Sequence, residues 1–566
     1  MLSQEGLMLD LAFAVAQLRG ATPDQLRAAF AHFLPPEASL DQRISAVESL
    51  LDSPAGPVLR EEMARWIIDH MLPANALVPK QYEHLRPIVR EAMTFEVLRL
   101  SSHRLAPKIV DQVELPANAS PETRLLHLIS QVPGLQKLGQ VLARNRHLRP
   151  SLRNALSKLE NGIRDVAPAD IRAIIEQELG PRLATYDVEI SPAILSEASV
   201  SAVMRFTFRD PDSDERRRGV FKVLKPHIPA CFAEDMDLLH DMAAYLGSKH
   251  REHGFAPRVI QDTFRKVRQL LEHEVDFAGE QRRLPEAAAI YRNLRGIAVP
   301  TLIPELCSPL VTAMTEQPGA KVTTAARRLS GARRRRLAEL LTESLIAAPL
   351  CSSAADALFH GDPHAGNLLY DAQSNTLSLI DWALTEHLSA DQRRHLALLV
   401  AMVALRNPTA VCLEIEALTE RPLRADQKKT LRDLVTVYLN RLPLDRPPQL
   451  TDAMQLLERI ALRGIRFPAS LIMFSKVMFT LDGILADLRG DSTISPRVAR
   501  NFLQRWLSRG VRLGAPLTRN DWAAIAFNAL IFGGRVLVDY EHRLARRYLG
   551  PIGNSQSTLV NLQSSI

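Results

Sequence analysis

The spacing of apolar positions changes twice along this chain. Up to about residue 118 they recur every three or four residues, as in LRAAFAHFL (26–34) and REEMARWIIDHML (60–72). That spacing is one face of a helix. Proline breaks at LPPEAS and LPANAL, and the turn-rich segment ELPANASPET, Glu114–Thr123, punctuate this part. The helical period returns in LLHLISQVPGLQKLGQVLARN, SLRNALSKLENGI and ADIRAIIEQELG, which together reach Gly180. Beyond Gly180, TYDVEISPAILSEASVSAVMRFTFRD and RRGVFKVLKP alternate and are rich in β-branched residues, which predicts strands around the charged turn PDSDERRR. Helices are expected over 230–250 and 258–292, then short strands in IAVPTLIPEL and PLVTAMTEQPG. The remainder is mostly helical, except for two short apolar runs, LLY and LSLID, on either side of a polar turn in FHGDPHAGNLLYDAQSNTLSLIDWA, Phe359–Ala383.

A chain of 566 residues exceeds one core, and two to four packed units are expected. A small strand-rich lobe followed by a larger helical one, joined by a strand near Met314, predicts an α+β, protein-kinase-like two-lobe fold. It carries an all-helical N-terminal extension and a helical C-terminal tail. The boundaries are a helical region 1–118, a helical extension 119–180, an N-lobe 181–318, a C-lobe 319–490 and a tail 491–566. No window reaches the roughly 18 uninterrupted apolar residues of a spanning helix. WAAIAFNALIFGGRVLVDY, Trp522–Tyr540, comes nearest and reads as a helix docked on the protein's own core or at an interface.

Composition narrows the class only a little. Apolar residues are 46% and charged residues 23%, as in ordinary globular chains. The net charge of +7 suits anionic partners such as nucleotide phosphates or acidic headgroups. The four dispersed cysteines give neither a zinc pattern nor a disulfide framework. The N-terminus lacks a basic leader and reads as an amphipathic helix. The expectation is a cytoplasmic protein, with peripheral membrane contact left open. The arginines of ARRLSGARRRRL read as the exposed start of a helix, and nothing resembles an aromatic-interleaved nucleic-acid patch.

The segment opened by FHGD supplies chemistry. Phosphoryl transfer from a nucleotide needs a cation on the phosphates, oxygen ligands for magnesium and a carboxylate near the attacking oxygen. His360, Asp362 and Asn367 have the spacing of HxDxxxxN, and Asp381 follows the second apolar run. Asp362 would orient or deprotonate the nucleophile, while Asn367 and Asp381 would hold magnesium. Upstream, GVFKVLKP places Lys222 as the phosphate lysine. The competing reading, an edge-strand lysine that discourages aggregation, suits Lys225 better. A helix acid should hold Lys222, and Glu272, Glu274, Asp276 and Glu280 are the candidates. No glycine-rich loop precedes Lys222; the corresponding turn is SEASVSAV, with Ala198 and Ser199 at its tip. Those two residues and Met314 complete the candidate nucleotide contacts. Glu197 in that turn would face the phosphates, and one like charge at ~4 Å in an effective dielectric near 20 costs about 4 kcal/mol.

These motifs resemble the UbiB/AarF-type (ADCK-like) atypical kinases. KLGQ, Lys137–Gln140, is similar to their KxGQ signature, SEAS to their alanine-rich loop, EVDF to their ExD motif, and HGDPHAGN to their DPHxGN loop. The resemblance implies an ATP-binding, magnesium-dependent fold whose KxGQ helix lies across the active site. It implies ATPase-like chemistry tied to ubiquinone and isoprenoid lipid metabolism, with a lipid or quinone precursor as a further ligand. It also implies that Lys137 and Gln140 reach the site with Glu274 and Asp276 as partners, and that Glu280 holds Lys222. The departures are Glu197 in the loop, Ala202 for a usual glutamine, and DWA at Asp381–Ala383. Two alternatives remain: a small-molecule phosphotransferase of the aminoglycoside or choline kinase type, whose HGDxHxGN and IDW are alike, and a pseudokinase scaffold.

Overall fold

The computed structural model describes residues 38–54, 56–72, 83, 86–116, 118–137, 166–210, 214–249, 257–443, 450–488, 517–518 and 520–529. Gln140, the expected first helix and most of the tail after 491 lie outside these residues. The chain divides into two compact units, residues 1–281 with 302–316, and residues 282–301 with 317–566.

Among its described residues, the first unit opens with helices α1 (Leu40–Leu51), α2 (Gly56–Trp66), α3 (Arg86–Arg99), α4 (Ser102–Glu114) and α5 (Pro121–Ile129). Ser39 starts α1 with a reciprocal pair of bonds, its hydroxyl accepting from the Gln42 amide and its own amide donating to the Gln42 side chain. After α6 (Pro168–Leu179) come strands β1 (Glu189–Glu197), β2 (Ser201–Arg209) and β3 (Arg216–Leu224). Then follow α7 (Ile228–Ser248), α8 (Pro257–Val275) and α9 (Phe277–Tyr291). The stretch 258–292 is therefore two helices rather than one. The break falls at Asp276, whose Oδ1 accepts from the Gly279 amide and caps the second helix.

Among the described residues of this unit, two cores are seen. In one, Phe95, Leu105 and Ile109 of α3 and α4 bury with Met236 and Leu239 of α7 and Leu271 of α8. Charges lie within it. Arg104 pairs with Asp235 at 2.7 Å and Glu234 at 3.1 Å, and Lys108 donates to the Ser130 carbonyl. In the other, α6 covers an antiparallel sheet of order β1-β2-β3-β5, where β5 is Val311–Thr315. Gly219 is required there, because a Cβ would lie 2.4 Å from the Phe206 ring, which stacks on Phe221 at 3.8 Å. Lys222 lies on β3 between Val203 of β2 and Thr312 of β5. It is thus on an interior strand, which removes the edge-strand reading. Met314 is buried on β5 opposite Val220.

The second unit holds a sheet of order β4-β9-β8-β6 (Ile297–Ala298, Thr376–Leu379, Leu368–Asp371, Ala320–Lys321) and the antiparallel pair β7 (Asp356–His360) and β10 (Thr385–Ser389). LLY and LSLID form the β8–β9 hairpin. Its longer helices among the described residues are α10 (Gly331–Thr342), α11 (Ala390–Ala404), α12 (Pro408–Ala417), α13 (Ala425–Arg441), α14 (Leu450–Ala461) and α15 (Ala469–Leu488). Among the described residues α15 alone is long and apolar enough to cross a membrane, by length and composition only. It packs Phe474 edge-on against Phe359 at 5.3 Å and buries Leu471, Val477, Met478 and Leu481. The described part of the Trp522–Tyr540 segment is helical and docks one face, Trp522 and Ile525, beside Ala397 and Leu398. Arg394 clamps Asp521 through two bonds of 2.7 and 2.8 Å.

Candidate active site

In the first unit, the Lys222 ammonium meets Glu280 at 2.8 Å, with the Phe277 ring 5.5 Å away. Glu280 is 1% and Lys222 12% exposed in their side chains, so this ion pair is shielded from water. The strand supplies the lysine from its interior, and the cap at Asp276 sets the helix start four residues before Glu280. Gln281 fastens that helix to β5 by donating to the Ser308 carbonyl at 2.9 Å and to the Thr312 hydroxyl at 3.0 Å. Of the four candidate acids, Glu280 makes the contact, while Asp276 caps the start of that helix.

Glu274 has a different pair of partners. Lys137 donates to one of its oxygens, and the Ser199 hydroxyl donates to the other at 2.8 Å. The carboxylate therefore ties the end of the helical stretch 133–137 to the tip of the β1–β2 turn. Glu197 departs from expectation. Its carboxylate meets Lys225 at 3.2 Å, with side-chain exposures of 3% and 0%. The turn's negative charge is neutralised by a buried lysine, and the 4 kcal/mol objection to phosphate binding loses its basis. Lys225 is likewise no aggregation guard, being wholly buried. Ala202 is buried in the sheet core. The Ala198 amide donates to the Ser201 carbonyl at 2.7 Å, so Ala198 commits its backbone donor within the turn.

In the second unit the loop after β7 is woven to the segment after β9. The Asp362 amide donates to His360 Nδ1 at 3.2 Å, so Nδ1 carries the lone pair and Nε2–H donates to the Ile380 carbonyl at 3.0 Å. Burial holds His360 below the ordinary imidazole value, which keeps this neutral tautomer. The Ile380 amide donates back to the Asn367 carbonyl at 3.0 Å. Asp362, Asn367 and Asp381 are thereby gathered on one frame. Asp381 has φ +63°, a left-handed conformation that aspartate tolerates better than most residues. Trp382 beside it is fully buried against His360 and Tyr291, and Arg283 donates to its carbonyl at 3.3 Å.

The donor set fits magnesium. Among the described residues no three His, Cys, Asp or Glu side chains gather as a metal cluster. Asn367 commits its amide nitrogen to the Asp362 carbonyl at 3.1 Å, which leaves Oδ1 as the atom suited to a cation. An amide oxygen with one carboxylate is the sparse set magnesium accepts when phosphates complete its shell.

One residue was missed in the sequence. Lys476 of α15 places its ammonium 3.2 Å from Asp362 Oδ1. The available signal was a lone charge in the apolar run SLIMFSKVMFTL.

Residues 158–414 match the family model of the ABC1 atypical kinase-like domain. The kinase-like part of this chain is of the UbiB/AarF type. An uncharacterized protein of Synechocystis sp. is 24% identical over 366 residues, 63% of this chain and 60% of that one. A probable protein kinase UbiB of Haemophilus ducreyi is 27% identical, covering 46% of this chain and 48% of its own length. The chloroplastic protein ACTIVITY OF BC1 COMPLEX KINASE 1 of Arabidopsis thaliana is 29% identical, covering 46% and 37% respectively. The chain thus spans about half the length of the curated relatives it matches. Among solved structures, the complex of Rv3197 with erythromycin from Mycobacterium tuberculosis aligns with 63% of this chain and 87% of that one, at 17% identity and a TM-score of 0.42, too low to bear on the fold. With the mixed helix and sheet described above, the UbiB/AarF-type domain makes this an α+β, kinase-like chain.

Proposed function

We propose that this UbiB/AarF-type chain binds ATP with magnesium and transfers or hydrolyses its γ-phosphoryl group. The observation that supports this best is the His360 tie, which gathers Asp362, Asn367 and Asp381 on one backbone frame. A two-lobe kinase-like organisation, 181–318 and 319–490, is part of the proposal, as are the helical extension and tail. Lys222, oriented by Glu280, takes the α and β phosphates. Ala198, Ser199 and Met314 contact the nucleotide. Lys137, Gln140, Glu274 and Asp276 form the KxGQ–ExD part of the site. Asn367 and Asp381 would hold magnesium, which supplies charge neutralisation on the phosphates. Asp362 orients the attacking hydroxyl or water and receives its proton. We assign the chemistry to ubiquinone or isoprenoid lipid metabolism by likeness to UbiB. A lipid or quinone precursor is the second ligand, and the chain works in the cytoplasm with peripheral membrane contact.

A thermal-shift titration with Mg-ATP, paired with phosphate release, tests this reading. Wild type is expected to be stabilised and to turn over slowly. Asp381→Asn should weaken magnesium-dependent nucleotide binding by about tenfold or more, the loss of one charge-assisted metal contact worth at least ~1.4 kcal/mol. Unchanged Mg-ATP binding by that variant refutes the metal role. A second reading, nucleotide binding without turnover, draws support from the β1–β2 turn, whose Ala198 amide and Ser199 hydroxyl are committed within the protein. It predicts a thermal shift with no phosphate release.

A further inference from the structure

We infer that Lys476 is a positioning residue for the phosphoryl-transfer step, holding the Asp362 carboxylate in its working direction; the inference rests on the function proposed above. The loop itself offers no cation. GDPHAGN, residues 361–367, contains neither lysine nor arginine. The positive charge arrives instead from α15, more than a hundred residues later, with Nζ 3.2 Å from Asp362 Oδ1.

Ordinary helix docking does not account for the pair. A part-exposed ion pair contributes little to docking a helix, whereas each fully buried apolar side chain contributes several times more. α15 buries Leu471, Phe474, Val477, Met478 and Leu481 around this one lysine, so its seat in the unit is apolar. Between Ala469 and Leu481 Lys476 is the only charged residue. Its flanks make it a rigid mount. Phe474 contacts Phe359 on the strand that leads into His360, so the ammonium and the loop are referenced to the same strand. The pair also remains accessible to a substrate, with side-chain exposures of 37% for Lys476 and 15% for Asp362.

The step requires that orientation. In hydrolysis the water oxygen bonds to the γ-phosphorus and the bond from phosphorus to the β–γ bridging oxygen breaks. The electron pair leaves on ADP, and the water proton passes to Asp362. A carboxylate free to rotate spends much of its time misaligned for that proton. By restraining Oδ1, Lys476 sets the direction of Oδ2.

The test uses the full chain as wild type, Lys476→Met and Lys476→Arg. Methionine keeps the apolar stem and removes the charge, while arginine restores the charge. Steady-state ATP turnover with magnesium is measured alongside hydrogen exchange of the segment 359–371. Lys476→Met should lower kcat by about tenfold or more, the equivalent of ~1.4 kcal/mol on the barrier, with KM for Mg-ATP within about twofold. Lys476→Arg should recover most of kcat, and amides of the 361–367 loop should exchange faster in the methionine variant alone. A kcat for Lys476→Met equal to wild type overturns the inference, as does an equal loss in Lys476→Arg, which would mark a packing role. If wild type itself releases no phosphate, the proposed turnover fails separately. Hydrogen exchange then still decides the tie, because unaltered loop exchange in Lys476→Met removes it.

Discussion

At the scale of single residues, the buried pair Glu197–Lys225 shows how a side chain's meaning depends on its partner. Each alone would be costly away from water, and together they sit with almost no exposure. Lys225→Met takes the ammonium away from the buried Glu197 carboxylate, and we expect a loss of about 3–5 kcal/mol in urea unfolding. The double variant Glu197→Leu with Lys225→Met should recover most of that loss, since two apolar groups of similar volume need no partner. A double variant as unstable as the single one would show that the pair is not the cause. Neither residue's fate was legible in the chain. Glu197 ends β1 and Lys225 follows β3, and strands that do not neighbour each other in the sheet give no sequence signal of such a contact. Spacing did carry what lies within one short segment. His360, Asp362 and Asn367 share a single loop, and a hairpin of predictable turn chemistry returns the chain to them at Ile380 and Asp381. Lys476 escaped for the opposite reason, because its contact spans 114 positions.

At the scale of elements, the break between α8 and α9 decides where Glu280 points. The apolar period runs through both helices, so periodicity alone joins them into one. The sign of the break was a local one: an aspartate three residues before a glycine whose amide needs a partner. The Asp276 oxygen takes that amide at 2.8 Å, and its carbonyl accepts from the Glu280 amide at 3.0 Å. Asp276→Ala removes the side-chain acceptor and should cost about 1 kcal/mol, with Asp276→Asn or Asp276→Ser close to wild type. Chemical denaturation measures this directly. An alanine variant as stable as wild type would mean that the helix start is held by packing, and the cap would lose its place in orienting Glu280. Strand β2 was more legible, because its near-regular alternation leaves little ambiguity about which side is buried, whereas β1 is irregular, its register shifting between Ile190 and Ser196. Gly219 on β3 sits where the Phe206 ring approaches, a contact that the pattern along the chain does not announce.

At the scale of whole packing units, the helices of residues 40–114 do not form a core of their own. Their apolar faces bury against α7 and α8, which are inserted between β3 and α9. Helical period announces such faces but not what covers them. The joint carries ionisable groups, and these give it a pH signature. Glu96 is buried and pushed up to about 8, first by burial and then by Asp235, with Lys108 and Arg104 pulling the other way and Glu234 adding to the rise. Asp235 is pushed up to about 6 by burial, against the pull of Arg104. Lys108 is pushed down to about 8 by burial. A carboxyl whose folded value lies above its unfolded one, near ~4.3, keeps a proton that the unfolded chain has released. Stability therefore falls as pH climbs from the unfolded value to the folded one. Asp235 completes its share by about pH 6, and Lys108 begins to act only above about 8. The window between is governed by Glu96. Glu96→Gln cannot release a proton, so its unfolding free energy should decline less than wild type between pH 6 and 8, by up to ~1.4 kcal/mol per pH unit for one proton. Parallel urea titrations of the two proteins across that window measure the difference, in which the histidines common to both cancel. Equal slopes would place the carboxyl in water in the folded state, and the charged joint between the N-terminal helices and α7 would then have to be redrawn.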